Sequence, residues 1–155
     1  MRRAKIAGIG AFAPEKVVPN QFFNDILGED VDTWLSENLT IRERRWCSEN
    51  ESTADLCEKA ALEAIKDAGI SAEDINLIII ATDTPEFVSP STSSVVQHRI
   101  GAKNSGTFDI NTACAGFVTA LNTGSKFIAG DEDCNTVLVI GAYAMSKYLN
   151  LTDKK

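Results

Sequence analysis

Two uninterrupted apolar stretches, Leu77–Ala81 and Val137–Ile140, constrain this chain more than anything else in it. Neither alternates with polar residues, as a strand wetted on one face does. They read as strands buried on both faces, the habit of a parallel sheet covered by helices. The segments around them supply the helices. Thr53–Ala68 places Leu56, Ala60, Ala64, Ile65 and Ala68 on one face, with Ser52 as N-cap, Asp55 three residues on, and Gly69 as the stop. Ser91–Ile100 ends at Gly101, and Ala113–Ala129 carries Phe117, Val118, Leu121, Ser125 and Ile128 on one face ahead of Gly130. Shorter helices are predicted over Asn20–Leu27, opened by an asparagine cap, and over Asp32–Leu39. Thr107–Asn111 reads as a further strand, and Lys5–Ala11 as a glycine-rich one before the turn Ala13-Pro14. Strands alternating with helices predict an α/β fold, a mostly parallel mixed sheet with helices on both faces.

The chain has 155 residues, the length of one domain, and 44% hydrophobic residues can build a core. No apolar run approaches the ~20 residues needed to cross a bilayer. MRRAKIAGIG contains no apolar stretch of signal-peptide length, so a cytoplasmic location with free thiols is expected. A net charge of −7 argues against nucleic acid as a partner. The basic cluster Arg42, Arg44 and Arg45 reads as internal ion pairs with Glu43 and Glu49, docking of an acidic carrier protein being the alternative. The acidic loop Asp131–Asp133 reads as a solvated turn. Four cysteines, none in C-x-x-C spacing, and a lone histidine, His98, leave no pattern for a metal site.

Cys47, Cys57 and Cys134 read as small buried apolar side chains. Cys114 differs, because it falls where a strand ends and a helix begins. The exposed N–H groups and dipole of a helix start favour an anion, hence the thiolate, which is the nucleophile. Ala113, Ala115 and Gly116 leave room for a substrate. Covalent acyl transfer needs such a thiol, and the same helix start can donate an N–H to a developing oxyanion. A cysteine packed like an alanine remains the plainer alternative on these residues alone.

The segment Asn111-Thr112-Ala113-Cys114-Ala115-Gly116-Phe117 resembles the nucleophile motif of β-ketoacyl-acyl carrier protein synthase III, a thiolase-like condensing enzyme. Trp34 with Ile41-Arg42-Glu43-Arg44 is similar to the family's W…GIRER stretch. Ala60–Gly69 with Leu77–Thr82 is similar to its helix and "IIVAT" strand, and Val137–Gly141 to its "LVVG" strand. The likeness runs through essentially the whole chain. It implies that residues 1–155 are the N-terminal of two similar α/β halves stacked in five layers, the C-terminal half being absent from this chain. The implied reaction belongs to fatty acid initiation. Cys114 takes an acyl group from acyl-coenzyme A, and malonyl-acyl carrier protein loses carbon dioxide and attacks the acyl-enzyme, giving a β-ketoacyl thioester. The family's catalytic histidine and asparagine lie in the second half, and His98 does not match that histidine. The chain alone is therefore expected not to condense.

The resemblance also implies coenzyme A thioester as substrate, no permanently bound cofactor and no metal, and a homodimer paired across a two-fold axis through Thr107–Asn111. Trp34 matches a tryptophan that stacks on the coenzyme's adenine. Asn38 replaces the arginine that completes that clamp, and Lys154 stands for a second coenzyme-contacting arginine. Asp83 occupies a position that is usually small and neutral at the acyl site, and Ser89 one where the family has a phenylalanine crossing the dimer interface. These departures leave three alternatives: a secondary-metabolism acyltransferase, a hydroxymethylglutaryl-CoA-synthase-like catalyst using Asp83, and a non-catalytic dimerisation half.

Overall fold

The computed structural model describes residues 2–151, which form two compact units. The smaller comprises residues 13–51 and the chain from 144 onward; the larger comprises the chain up to residue 12 and residues 52–143.

In the smaller unit, β1 (Lys16–Pro19) runs antiparallel to β2 (Glu43–Trp46), with Lys16 opposite Trp46 and Pro19 opposite Glu43. Between them lie α1 (Asn20–Leu27) and α2 (Asp32–Leu39). Both helices are placed as the sequence predicts, but Asn20 is not the cap of α1. Pro19 holds that position in extended conformation, and Asn20 is the first helical residue, its side chain turned inward. The basic cluster is a strand, not a set of ion pairs with two glutamates. Arg45 reaches Glu43 only at 4.0 Å, and Arg44 donates to Asn20 and lies 4.8 Å from the Phe23 ring centroid. Glu49 instead offers its backbone carbonyl to Lys147 Nζ, at 2.6 Å. Phe22, Phe23 and Trp46 pack as an aromatic cluster with centroids 5.4–6.0 Å apart.

The larger unit is built on a parallel three-stranded sheet, order β4-β3-β5, with β3 (Leu77–Ala81) central, β4 (Gly106–Ile110) on one side and β5 (Val137–Gly141) on the other. All five residues of β3 are buried, as the unbroken apolar run requires. Its side chains divide by the strand's period of two. Ile78 and Ile80 join Ala54, Cys57 and Ala61 of α3 (Thr53–Ala68) and Val96 and Ile100 of α4 (Thr92–Ile100). Leu77, Ile79 and Ala81 face the other way, onto Ala120 of α5 (Gly116–Gly130). Helices thus cover both faces.

Helix α3 starts on the expected capping box. Ser52 Oγ accepts from Asp55 N–H at 3.3 Å and Asp55 Oδ2 accepts from Ser52 N–H at 2.7 Å. Helix α4 has Ser91 as its cap and is tied to β4 by Asp109, whose carboxylate accepts from the N–H groups of Thr92 and Ser93 at 2.7 and 2.8 Å.

Two expectations fail in this unit. Lys5–Ala11 is not a strand: it has no ladder partner, and Ile6 and Ile9 are 73% and 71% exposed. The segment is spent on α3 instead. Ile9 N–H donates to Asp67 at 2.9 Å, and Gly8 and Gly10 lie against helix backbone so closely that a Cβ on either would collide with it. Helix α5 also starts later than predicted and presents a different face to the sheet. Gly116, Ala120 and Gly124 are buried, while Val118 is 69% exposed and Phe117 48%. A Cβ on Gly124 would stand 3.0 Å from Val137 Cγ1, so the stripe of small residues sets how near the helix can lie.

Candidate active site

The three parallel strands end together. Thr82 N–H donates to Ile110 O at 3.2 Å, and Ala142 N–H to Ala81 O at 3.0 Å, which carries the ladder one step past the strands. The crevice beyond the carboxyl ends of such strands is where open α/β sheets bind ligands. The chain leaving β4 turns here through Asn111, Thr112 and the short 3-10 turn Ala113–Ala115 into α5. Cys114 is the middle residue of that turn.

The turn is held tightly. Asn111 Oδ1 accepts from Ala113 N–H at 3.1 Å, and Thr112 O accepts from Ala115 N–H at 3.1 Å. Thr119, one turn into α5, donates to Ala115 O at 2.9 Å and accepts from Thr112 Oγ1 at 3.3 Å. Ala113 has φ +47°, the left-handed region, which costs a residue with a Cβ about 1–2 kcal/mol. Gly116 follows because the turn lies on β3: a Cβ there would be 3.1 Å from Ala81 Cβ. The strained turn lifts residues 111–115 into solvent, and all five are exposed.

Cys114 is the exposed thiol, whereas Cys47, Cys57 and Cys134 are buried, as expected. Burial, with help from the Asp109 carboxylate, pushes the Cys57 thiol up to about 12. Burial and then Asp131 raise the Cys134 thiol, against a smaller opposing effect of Arg2. His98 is exposed in the last turn of α4. The residue before it, Gln97, donates to Ser105 O, and Gly106 at the start of β4 donates to Asn76 O. His98 therefore belongs to the amino ends of the strands, the opposite edge of the sheet from Cys114. Among the described residues no group of His, Cys, Asp or Glu is placed to hold a metal, and no helix is long and apolar enough to cross a membrane.

Comparison with known proteins bears on this geometry. Residues 108–155 match the family model for 3-oxoacyl-[acyl-carrier-protein] synthase III. The chain is 46% identical to β-ketoacyl-[acyl-carrier-protein] synthase III of Clostridium acetobutylicum, an alignment covering 99% of this chain and 46% of the relative. It superposes on the crystal structure of 3-oxoacyl-[acyl-carrier-protein] synthase III from Aquifex aeolicus with a TM-score of 0.90 at 37% identity, covering 97% of this chain and 48% of that one. The chain belongs to the β-ketoacyl-acyl carrier protein synthase III family. It spans about half the length of the curated relatives it matches. The priming β-ketosynthase of the R1128 polyketide pathway is a more distant neighbour, TM-score 0.89 at 28% identity, covering 99% of this chain and 45% of that one. The thiolase-like α/β expectation thus holds for fold and family.

Within this synthase III chain the remaining sequence-derived positions fall in separate places. Asp83 directly follows Thr82 at the carboxyl edge of the sheet, the same edge as Cys114, and is exposed; Ser89, further along that loop, is exposed too. Trp34 and Asn38 lie one turn apart on α2 in the smaller unit. Trp34 is 58% exposed rather than packed among helices, and Asn38 Nδ2 donates to Trp34 O at 2.9 Å. Lys154 lies outside the described residues. Sequence reasoning passed over Asn20, Asp109 and the conformation of Ala113. A polar residue flanked by Pro19 and an apolar run could have marked Asn20; nothing in an alanine marks a left-handed φ.

Proposed function

We propose that Cys114 is the acyl-carrying nucleophile of a decarboxylative condensing reaction of the β-ketoacyl synthase III type, at the initiation of fatty acid synthesis. The observation that carries this reading is the placement of Cys114. It is the solvent-facing thiol, on a strained turn, at the carboxyl edge of a parallel sheet and one residue pair before a helix start. Its Sγ attacks the thioester carbonyl of acyl-coenzyme A. A carbon–sulfur bond forms, the tetrahedral intermediate collapses, and the coenzyme thiolate leaves and takes a proton. The turn and first amides of α5 supply donors for the oxyanion. Malonyl-acyl carrier protein is the second substrate: its decarboxylation delivers a carbanion that attacks the acyl-enzyme and releases the Cys114 thiolate. His98, at the far edge of the sheet, has no part in either step. The 155-residue chain is accordingly expected to accept an acyl group and not to condense it.

The test is intact mass after incubation with acetyl-CoA and a panel of longer acyl-CoAs, with peptide mapping of the adduct. One acyl group on Cys114, absent from Cys114→Ala, is the expected result. No adduct on folded protein, or an adduct elsewhere, overturns the assignment. The same panel separates an acetyl-priming enzyme from one priming a secondary pathway, the reading that Asn38 and Ser89 keep in view. Asp83→Asn tests the hydroxymethylglutaryl-CoA-synthase-like alternative: unchanged acylation of Cys114 agrees with the main reading, and loss of a condensation step in a full-length relative favours the alternative. The edge of β4 not paired to β3 is open to a second copy of the chain, and light scattering that returns a dimer supports assembly there.

A further inference from the structure

The smaller unit contains an open pocket of about 370 Å3 beside Trp34, floored by Phe23, Val31 and Leu35 and carrying two charged groups, Asp30 and Arg44. The two charges are differently committed. The Asp30 carboxylate already accepts from the N–H and hydroxyl of Thr33, at 3.1 and 2.6 Å, and from Asn24 at 3.4 Å. Arg44 is half-buried, and among the described residues it makes no ion pair. A guanidinium carries five N–H donors. Here Asn20 Oδ1 accepts from Nη1 at 2.6 Å, and the Phe23 ring covers one face. A partly desolvated guanidinium with donors to spare calls for an anion, which it can hold in bidentate fashion.

Asn20 explains why the guanidinium stays in place. It is 1% exposed, and its polar groups are all used. Nδ2 donates to Asp32 Oδ1 at 2.8 Å and to Ile41 O at 2.7 Å, while the backbone N–H donates to Arg42 O at 3.2 Å. One buried amide thereby ties the start of α2, which carries Trp34, to the strand that carries Arg44. Asn38 does not compete for this role, because it is uncharged and its Nδ2 is bonded to Trp34 O.

We propose that Arg44, oriented by Asn20, is the anion-binding group of the Trp34 pocket and engages the phosphate-bearing nucleotide end of the coenzyme A donor. Arg44 is a binding residue and Asn20 a positioning residue. The inference rests on the coenzyme-dependent reading above, and two measurements keep their failures apart.

The first is calorimetric titration of the full chain with adenosine 3′,5′-bisphosphate, which needs no chemistry at Cys114. The wild type is expected to bind it. Arg44→Met should weaken binding about tenfold or more, the scale of a charged hydrogen bond, with Arg44→Lys between the two. Asn20→Ala should act in the same direction as Arg44→Met. The second is the rate of Cys114 acylation by acetyl-CoA relative to acetyl-pantetheine, a donor lacking the nucleotide. Arg44→Met should reduce that preference about tenfold. Absence of bisphosphate binding to the wild type, equal binding by Arg44→Met, or an unaltered donor preference overturns the proposal. If neither donor acylates Cys114 while the bisphosphate binds in an Arg44-dependent way, the Cys114 reading falls and the pocket assignment stands. Should Asn20→Ala fail to fold, the two Arg44 variants still decide.

Discussion

Thiol reactivity is the most direct probe of how this fold sorts its four cysteines. Alkylation by iodoacetamide requires the thiolate. Burial, then the Asp109 carboxylate, pushes the Cys57 thiol up to about 12. At pH 8 that leaves about one Cys57 thiolate in ten thousand. Even this fraction is shielded, because Cys57 is wholly enclosed with Ala54, Ala61, Ile78 and Ile80, so reagent reaches it only when the core opens. Cys134 is raised in the same direction by burial and then Asp131, and Cys47 is 6% exposed. Cys114 meets the reagent directly. Native protein at pH 8 should therefore gain one carbamidomethyl group, on the Cys114 peptide, while protein in concentrated urea gains four. Cys114→Ala should gain none under native conditions. Intact mass and peptide mapping over a time course give the answer. Labelling of Cys57 or Cys134 at a rate comparable to Cys114 would refute the claim that packing, rather than local sequence, controls these thiols.

Other consequences are equally specific. Gly124→Val puts methyl groups where a bare Cβ already lies 3.0 Å from Val137 Cγ1 and 3.3 Å from Val139 Cγ2, and should cost about 1–3 kcal/mol by urea denaturation. Ile79→Ala empties a fully buried position in the central strand and should cost about 2–5 kcal/mol in the same assay. Ser52→Ala removes half of the α3 capping box and should cost about 0.5–2 kcal/mol. Burial works against ionised Asp55, but the bonds from Ser52 and the Arg99 guanidinium at 2.8 Å outweigh it and hold the carboxyl below its usual range. Its contribution is thus complete above the unfolded carboxyl's pKa of about 3.9 and lost as pH falls through the lower folded value. The urea midpoints of wild type and Asp55→Asn should differ at neutral pH and converge in acid; a constant difference would show that the charge is not responsible.

The parts of the fold that were legible share one property: local signals agreed with each other. Helix α3 has a capping box, a periodic apolar face and a terminal glycine, and it forms over the predicted residues. Strands β3 and β5 were legible because an unbroken apolar run leaves few alternatives to double-sided burial. The failures have physical causes of the opposite kind. Lys5–Ala11 has a strand's composition, but a strand also needs a neighbour, and a single sequence does not state whether one is within reach. Its glycines serve close contact with α3 instead. In α5 a hydrophobicity pattern pointed to Phe117, Val118 and Leu121 as the buried face. The sheet instead selects the side with least volume, because Gly116, Ala120 and Gly124 let the helix axis approach β3 and β5. Burial here follows from how near two backbones can come, a quantity that residue hydrophobicity does not encode.

The same distinction separates the two halves of the candidate site. Cys114 stood out because small residues around a cysteine at a strand-to-helix junction suit little else than an approachable thiol. The feature that presents it, an alanine at φ +47°, is silent in sequence, since alanine is the least informative residue about backbone conformation. It persists because its neighbours over-determine it: Asn111 holds its N–H, and Thr119 and Thr112 hold the turn that follows. Arg44 shows the converse. Its charge was plain in the sequence but its use was not, because three arginines in four residues look alike until β2 directs them. Alternation along the strand sends Arg44 inward to Asn20 and Phe23 and leaves Arg45 facing Glu43. A cation directed inward to a buried amide and an aromatic ring, beside an open pocket, has been selected by the fold for something its outward neighbour is not. The paired measurement of bisphosphate binding and donor preference asks what that is.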